Sequence, residues 1–156
     1  MFKSIKKIFN KEPLPKIQDI KNILAVEDQP KNAELFNRAL QRPGYNLLIA
    51  GDRENGFQMA EQYRPSLIIL NAMLQGEKTV DLCARLKQSD STKHIPILTI
   101  AEENDKLNIV EYYEQKVDEY LIKPFSVKEL FNHVEMLINE VVQEIDNQDG
   151  NDSQKI

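Results

Sequence analysis

Short runs of apolar residues alternate along the chain with longer segments in which apolar residues recur every three to four positions. This alternation predicts strands that alternate with helices, and therefore a parallel sheet with helices packed against it. Most of the runs are continuously apolar, as expected when helices cover both faces of the sheet. The pattern predicts five strands, at residues 23–26, 47–50, 67–70, 97–100 and 120–122.

Helices are predicted in the segments that follow the strands. The first is expected between Pro30, which suits an opening helical turn, and Gly44, which ends it. Asp52 is the expected N-cap of the second, which ends before Pro65. The third and fourth are outlined by apolar residues at helical spacing, namely Val80, Cys83, Ala84 and Leu86, and then Leu107, Val110, Tyr113 and Val117.

The fifth predicted helix has the clearest start. Ser126 and Glu129 have the spacing of a capping box, and apolar residues then recur at helical spacing as far as Ile145. Residues 146–156 are acidic and amide-rich with little to bury, so they are expected to form a disordered tail. A basic extension and linker is expected over residues 1–20, and the pattern therefore predicts one doubly wound α/β domain over residues 21–145.

Composition narrows the class of protein. The 156 residues include 20 basic and 25 acidic side chains, and a net charge of -5 disfavours a nonspecific nucleic-acid binder. A single cysteine excludes an internal disulfide framework and a thiolate metal cluster. No apolar run has the length of about 18 to 20 residues that spans a bilayer, and no secretory signal is present. The expected location is the cytoplasm.

The first eleven residues carry a pattern of their own. Their apolar and basic positions separate onto different faces of a helix, which is typical of a short interfacial helix. A membrane-surface contact, a partner-docking segment and a disordered lead-in all remain open, because helices this short are marginal alone in water. The apolar face would carry Phe2, Ile5, Ile8 and Phe9, and the lysines are Lys3, Lys6 and Lys7.

Polar residues stand at the carboxyl ends of three predicted strands, where ligands bind in open parallel sheets. Glu27 and Asp28 follow the first strand, Asn71 follows the third, and Lys123 follows the fifth just before a proline. With the order of elements, these residues resemble the receiver domain of bacterial two-component response regulators over roughly residues 21–140. The resemblance implies a flavodoxin-like receiver fold, with a five-stranded parallel sheet in the order 2-1-3-4-5.

The resemblance also implies a chemistry. In that family, an aspartate at the end of the third strand accepts a phosphoryl group, and two acidic residues after the first strand hold Mg²⁺. A hydroxyl residue after the fourth strand and a lysine after the fifth bind the phosphate, while an aromatic residue on the fifth strand repacks. By correspondence, Glu27 and Asp28 form the acidic pair, Lys123 is the lysine, and Tyr120 is the aromatic switch.

This sequence departs from the family pattern at three neighbouring positions. Asn71 stands at the phosphoacceptor position, and an amide has no ionised oxygen and is a far weaker nucleophile than a carboxylate. Ala101 replaces the switch hydroxyl, and Glu102 adds negative charge close to where a phosphoryl oxygen would lie. The departures favour a pseudo-receiver that is not an enzyme and that acts as a phosphorylation-independent signalling or adaptor module.

Two other functions stay open. One is a single-domain response regulator phosphorylated on a different carboxylate, such as Asp28 or Asp81. The other is a structural subunit of a larger assembly. For the adaptor, the expected partner is another protein or a second copy, bound through the fourth helix, fifth strand and fifth helix, where Tyr112, Tyr113 and Tyr120 are placed. No nucleic-acid partner is expected, since residues after 145 leave no room for a DNA-binding domain.

The acidic pair leaves one cofactor to consider. Glu27 and Asp28, helped by the carbonyl oxygen of Asn71, could bind Mg²⁺ weakly, since hard cations accept carboxylate and amide oxygens. The alternative is a structural pocket in which Lys123 offsets the charge of the two carboxylates. No other cofactor is expected.

Overall fold

The computed structural model describes residues 19–104 and 109–152, with side chains described up to residue 139 and not at Ile109. The predicted basic extension lies outside this description up to residue 18, and so does its expected membrane or partner contact. Within the described residues, the predicted alternation of strands and helices is confirmed. The strands are β1 (Lys21–Val26), β2 (Tyr45–Ala50), β3 (Leu67–Asn71), β4 (Met73–Leu74), β5 (Glu77–Lys78), β6 (Ile97–Ala101) and β7 (Glu119–Ile122).

Among the described residues there are five helices, four that connect strands and one that follows the last strand. Two of them begin at the side-chain caps that the sequence predicts, since Asn55 N donates to Asp52 Oδ1 and Glu129 N donates to Ser126 Oγ. The first begins with Pro30 in its first turn, also as predicted. The helices are α1 (Pro30–Leu40), α2 (Arg53–Tyr63), α3 (Val80–Gln88), α4 (Ile109–Glu114) and α5 (Val127–Asp152).

The five longer strands form one parallel sheet in the order β2-β1-β3-β6-β7. This is the predicted order 2-1-3-4-5, because the short β4 and β5 stand outside the sheet. The chain adds β2 on one side of β1 and then adds β3, β6 and β7 on the other side. The direction in which strands are added therefore reverses between β1 and β3. The carboxyl ends of β1 and β3 therefore meet at a switch point, where a cleft can form.

Alternate residues of each strand enter two separate cores. Leu24 and Val26 of β1 face the core shared with α2, α3 and α4, while Ile23 and Ala25 face the core shared with α1 and α5. Gly56 allows α2 to approach β1, since a side chain there would meet the methyl groups of Val26 at 3.0 Å. The sheet is thus covered on both faces, and its chemistry is confined to the strand ends.

A β-hairpin with a two-residue turn follows β3, and the sequence pattern did not predict it. β4 and β5 pair antiparallel, and the turn between them holds Gln75 and Gly76 at φ values of 53° and 77°. Two successive residues with positive φ are the requirement of a tight type I′ turn, and glycine meets it without strain. The hairpin projects beside the end of β3.

Two predictions about helices are corrected by the structure. The apolar face predicted for the fourth helix is wrong at Val110 and Tyr113, which are 62% and 54% exposed, while Tyr112 is buried instead and Val117, just after α4, is buried as predicted. The tail predicted to be disordered from residue 146 is instead helical as far as Asp152. No proline occurs after Pro124, so nothing in the sequence interrupts the helical hydrogen bonds once the capping box has started them. Residues 153–156 lie outside the description.

Candidate functional site

The carboxyl ends of β1 and β3 bring Glu27 and Asn71 into contact. Asn71 Nδ2 donates to Glu27 Oε2 at 2.8 Å, and the two side chains are only 8% and 2% exposed. The second carboxylate oxygen of Glu27 accepts from the backbone N–H of Gln29 at 3.1 Å. Both oxygens of a buried carboxylate are therefore satisfied by donors, as burial of a charge requires.

The orientation of the Asn71 amide follows from its neighbours. Asn71 Oδ1 accepts from the backbone N–H of Met73 at 3.1 Å, and that group can only donate. Glu27 Oε2 accepts hydrogen bonds from its donors here, so the nitrogen of the amide must face Glu27. The amide oxygen points to the hairpin and the amide nitrogen points to the carboxylate. The contact thus places a neutral hydrogen-bond donor, and not a cation, against the Glu27 carboxylate.

Asp28 binds the hairpin turn, whereas Glu27 binds the side chain of Asn71. Asp28 Oδ2 accepts from the backbone N–H of Gln75 at 2.8 Å, which is the first central residue of the hairpin turn. A carboxylate hydrogen bond to a main-chain donor is stronger than one between neutral groups. Asp28 therefore holds the tip of the hairpin over the strand ends.

Lys123 does not make the contact that was predicted. Its Nζ lies 3.3 Å from Glu102 Oε1, so within the described residues Lys123 pairs with Glu102 instead of offsetting Glu27 and Asp28. Ala101 lies between these elements, buried, and its carbonyl accepts from the backbone N–H of Lys123 at 2.9 Å. The ends of β6 and β7 thus form their own charge pair, separate from the Glu27–Asn71 contact.

Three tyrosines of α4 and β7 pack against one another. The rings of Tyr112 and Tyr120 meet edge to face with centroids 5.9 Å apart, and Tyr113 lies 5.2 Å from Tyr120 on the outer side. The Tyr120 hydroxyl is buried and has no hydrogen-bond partner among the described residues. Burial raises the pKa of Tyr120 well above its usual range.

Tyr112 was predicted to lie on a surface, and this prediction is wrong. Its hydroxyl is buried and donates to the carbonyl of Ala72 at 2.6 Å, while it accepts from the backbone N–H of Thr79 at 3.1 Å. Thr79 Oγ1 in turn donates to the carbonyl of Asn71 at 2.7 Å. These contacts connect α4 to the main chain beside Asn71.

The arrangement does not fit a Mg²⁺ ion. Among the side chains that the structure describes, in residues 19–104 and 110–139, no three from His, Cys, Asp or Glu come together to hold a metal. The Asn71 nitrogen faces Glu27, so the group that would have to give an oxygen to the cation presents a donor instead. Asp28 is engaged with the hairpin. The weak Mg²⁺ site considered from the sequence therefore has no matching donor set here.

Gln75 and Thr79 escaped sequence reasoning, whereas Tyr112 was named but was placed on the surface. Gln75 acts through its backbone, which no side-chain pattern can reveal. The adjacent Gln75-Gly76 pair was a usable turn signal, since glycine follows at the position that needs positive φ. Tyr112 and Thr79 become neighbours only when α4 and α3 fold over β3.

Cys83 lies on α3 in the core, as predicted, and burial raises the pKa of its thiol to about 12. The thiol is therefore protonated at neutral pH and is a small apolar residue rather than a nucleophile. Among the described residues, no helix has both the length and the apolar character needed to cross a bilayer.

A five-stranded parallel sheet with an acidic pair, an amide and a lysine at its strand ends defines the class of small α/β signalling domains with a flavodoxin-like fold. The model of the response regulator receiver domain matches residues 23–135. The chain belongs to the response regulator receiver domain family.

Relatives and solved structures agree with this membership. The chain is 33% identical over 112 residues to the DNA-binding response regulator MtrA of Mycolicibacterium smegmatis, and 34% identical over 110 residues to the phosphate regulon transcriptional regulatory protein PhoB of Pseudomonas aeruginosa. These matches cover 72% and 70% of this chain but 48% of each relative. The chain thus spans about half the length of the curated relatives that it matches.

Among solved structures, a response regulator from Chloroflexus aurantiacus superposes with a TM-score of 0.71 at 28% identity, covering 77% of this chain and 98% of that one. The chemotaxis response regulator CheY4 of Vibrio cholerae gives a TM-score of 0.69 at 21% identity, covering 76% and 98%. The second likeness shows the fold alone. Both support the predicted flavodoxin-like receiver architecture.

Proposed function

We propose that this receiver domain is a pseudo-receiver that signals without being phosphorylated, by binding another protein. The observation that carries the proposal is the hydrogen bond from Asn71 Nδ2 to Glu27 Oε2, at 2.8 Å. A nucleophile for phosphoryl transfer needs an electron-rich, ionised oxygen aimed at the phosphorus atom. Asn71 has no ionised oxygen, and its single oxygen already accepts from Met73 N.

The electrostatics of the neighbouring strand ends support the same proposal. Lys123 is the group that a phosphoryl oxygen would need, and it is paired with Glu102. A phosphoryl group would have to displace that carboxylate and lie beside its charge, and like charges repel. Ala101 offers no hydroxyl to the phosphate. Lys123 is thus already engaged by Glu102, a side chain of the domain itself.

The alternative nucleophiles gain no support from their contacts. Asp28 Oδ2 accepts from Gln75 N, and the Asp81 carboxylate lies 3.6 Å from Arg53 on an exposed part of α3. Neither contact activates an oxygen for attack. Phosphorylation of a different carboxylate is therefore a result that the mass experiment would detect.

The surface formed by α4 and β7 supports protein binding. Val110 and Tyr113 are exposed apolar side chains on α4, and the ring of Tyr113 leans on Tyr120 of β7. Exposed aromatic and aliphatic groups placed together are typical of protein contact sites. We define this pair of residues on α4, with Tyr120, as the α4–β7 surface, and propose it as the contact for a partner protein or a second copy.

Intact-protein mass tests the loss of phosphotransfer. The parent chain is incubated with Mg²⁺ and acetyl phosphate beside a variant carrying both Asn71→Asp and Ala101→Thr. We expect no phosphoryl mass on the parent, whereas the variant regains an ionised oxygen and a hydroxyl and is the positive control. Stoichiometric phosphoryl mass on the parent would overturn the proposal and point to another carboxylate.

The binding half of the proposal has its own experiment. Sedimentation velocity of the parent is compared with and without acetyl phosphate, and with the variant Tyr113→Asp. We expect phosphodonor to leave self-association unchanged and Tyr113→Asp to weaken any association through the α4–β7 surface. Proteins captured on the immobilised parent are compared in the same way, with Ile49→Asp, on the opposite edge strand, as the control. Equal capture by both variants would remove this surface from the proposal.

A further inference from the structure

The hydroxyl of Tyr112 is a buried polar group that the proposed function leaves unused. It lies on α4 in a side chain that is 1% exposed, and its proton can be assigned from its partners. Ala72 O accepts at 2.6 Å and can only accept, so the hydroxyl donates to it. The backbone N–H of Thr79, 3.1 Å away, can only donate, so the same oxygen accepts from it.

Thr79 extends this network to the candidate site. Its Oγ1 donates to the carbonyl of Asn71 at 2.7 Å, so the proton of that hydroxyl is also used. Asn71 therefore belongs to two networks at once. Its side chain contacts Glu27 and the hairpin, and its carbonyl contacts Thr79. The next peptide, Ala72–Met73, is held from both sides, because its N–H donates to the Asn71 side chain and its carbonyl accepts from Tyr112 and from the backbone N–H of Thr79.

The short length of α4 gives this contact its importance. The helix spans Ile109–Glu114, and a helix of six residues is not stable by its own hydrogen bonds. Its position must come from tertiary contacts, and the Tyr112 hydroxyl provides directional ones to both β3 and the start of α3. Two other described contacts of α4 are the exposed ion pair of Glu111 with Lys78 at 3.3 Å and the less directional packing of the Tyr112 ring edge against Tyr120.

We propose that Tyr112 is a positioning residue that ties α4 to the Ala72–Met73 peptide, whose N–H donates to Asn71 Oδ1, so that a change in the contacts of the Asn71 side chain shifts the α4–β7 surface through this hydroxyl. The inference rests on the proposed function, because it names how the pocket regulates the proposed binding surface. The path passes through backbone atoms at the end of β3. It therefore needs neither a hydroxyl at Ala101 nor movement of Tyr120.

Amide hydrogen exchange on the full chain tests this coupling. The parent, Tyr112→Phe and Tyr113→Phe are each measured with and without Asn71→Asp. Phenylalanine keeps the ring and its packing, and Tyr113→Phe on the same helix is the matched control. We expect Tyr112→Phe to speed exchange in α4 and at the start of α3 by about tenfold, with little change in β1, because Ala72 O and Thr79 N each lose one of their two hydrogen bonds and α4 loses its hydrogen bonds to them.

The decisive comparison uses the perturbation of the pocket. Asn71→Asp places a second carboxylate beside Glu27 and should change exchange in α4 of the parent and of Tyr113→Phe. In the Tyr112→Phe background the same change should leave α4 exchange unaltered. An equal response of α4 in all three backgrounds would overturn the proposal, and so would unchanged α4 exchange in Tyr112→Phe alone.

Global destabilisation by Tyr112→Phe and phosphorylation of the parent are each distinguished from loss of the coupling. Should Tyr112→Phe accelerate exchange in every element, the comparison is repeated in sodium sulfate, which favours the folded state. Equal responses to Asn71→Asp there also overturn the coupling. Phosphoryl mass on the parent would overturn the pseudo-receiver proposal while leaving the coupling through Tyr112 in place. Loss of the coupling with an unphosphorylated parent would overturn only the positioning role.

Discussion

Tyr112 and Tyr120 lie in contact, yet their surroundings differ in one respect. Both rings pack into the core beside α4, edge to face with centroids 5.9 Å apart. The Tyr112 hydroxyl donates to Ala72 and accepts from Thr79. The Tyr120 hydroxyl is buried without a partner among the described residues. One tyrosine is held by hydrogen bonds and the other by apolar packing alone.

This difference separates two regions that the family resemblance would join. Around Tyr112, polar groups run without interruption from α4 to the Asn71 pocket. Around Tyr120, on β7, Ala101 supplies no hydroxyl, and a buried hydroxyl without a partner costs about 1 to 3 kcal/mol relative to a satisfied one. The pocket can therefore influence α4 through Tyr112, whereas Tyr120 has no polar connection to it. Four changes test this contrast, from the largest expected effect to the smallest.

Asn71→Ala should have the largest effect, because it leaves the buried Glu27 carboxylate without one of its donors. We expect the free energy of unfolding to fall by about 2 to 3 kcal/mol, the range for hydrogen bonds to charged groups. Urea unfolding followed by circular dichroism measures it. Asn46→Ala, which removes an exposed amide that donates to Asn22, is the control and should cost much less. Equal losses in the two variants would mean that the Glu27–Asn71 hydrogen bond contributes no more to the free energy of unfolding than the exposed Asn46–Asn22 hydrogen bond.

Tyr112→Phe and Tyr120→Phe form the second test, in which the same atom is removed from neighbouring rings. The first should lower the free energy of unfolding by about 1 to 2 kcal/mol, since Ala72 O and Thr79 N lose a partner. The second should raise it by about 1 kcal/mol or more, because the substitution removes a buried hydroxyl that has no partner among the described residues. The same urea titration compares both. A larger loss in Tyr120→Phe would reverse the contrast.

Alkaline pH provides the third test. The pKa of Tyr120 is raised in the folded state by burial, so the unfolded chain loses the phenol proton first. The contribution of the protonated Tyr120 phenol to the free energy of unfolding is fully present below about pH 10, the usual pKa of tyrosine. This contribution is lost as the pH rises above that value. Tyr120→Phe should therefore flatten the decline of stability above about pH 10. Tyr113→Phe on the exposed ring is the control, and an identical decline in both would contradict the assignment.

Glu102→Gln should have the smallest effect on stability. The Lys123–Glu102 pair is 3.3 Å apart and the glutamate side chain is 60% exposed, so solvent screens it. We expect a change below about 0.5 kcal/mol that disappears in high salt. Comparison with Lys123→Gln and the double variant isolates the pair. A loss above about 1 kcal/mol would show that the ends of β6 and β7 depend on this contact.

The sequence predicted the sheet well because its information is local and repeated. Each of the five apolar runs became a strand of the main sheet, and the caps at Asp52 and Ser126 start helices as expected. The hairpin of β4 and β5 was missed, since strands of two residues have no measurable periodicity. The apolar face of α4 was misplaced because a six-residue helix gives too few positions to fix its rotation.

The candidate site was only partly predictable. The sequence placed Glu27 and Asn71 at neighbouring strand ends, and the structure brings them into contact. It could not indicate which way the Asn71 amide turns, because that depends on the backbone N–H of Met73. It also could not place Lys123 against Glu102 rather than the acidic pair, since flexible side chains choose partners only after the strands align.

The length of α5 has a mechanical consequence. The last core contact described on this helix is Ile138, and the helix continues for 14 residues to Asp152. At 1.5 Å per residue this continuation is about 21 Å long. A tilt of about 10° at the sheet would therefore move its end by roughly 4 Å, more than a hydrogen bond can follow. A small rotation of α5 at the sheet would thus produce a much larger displacement at Asp152 than at Ile138.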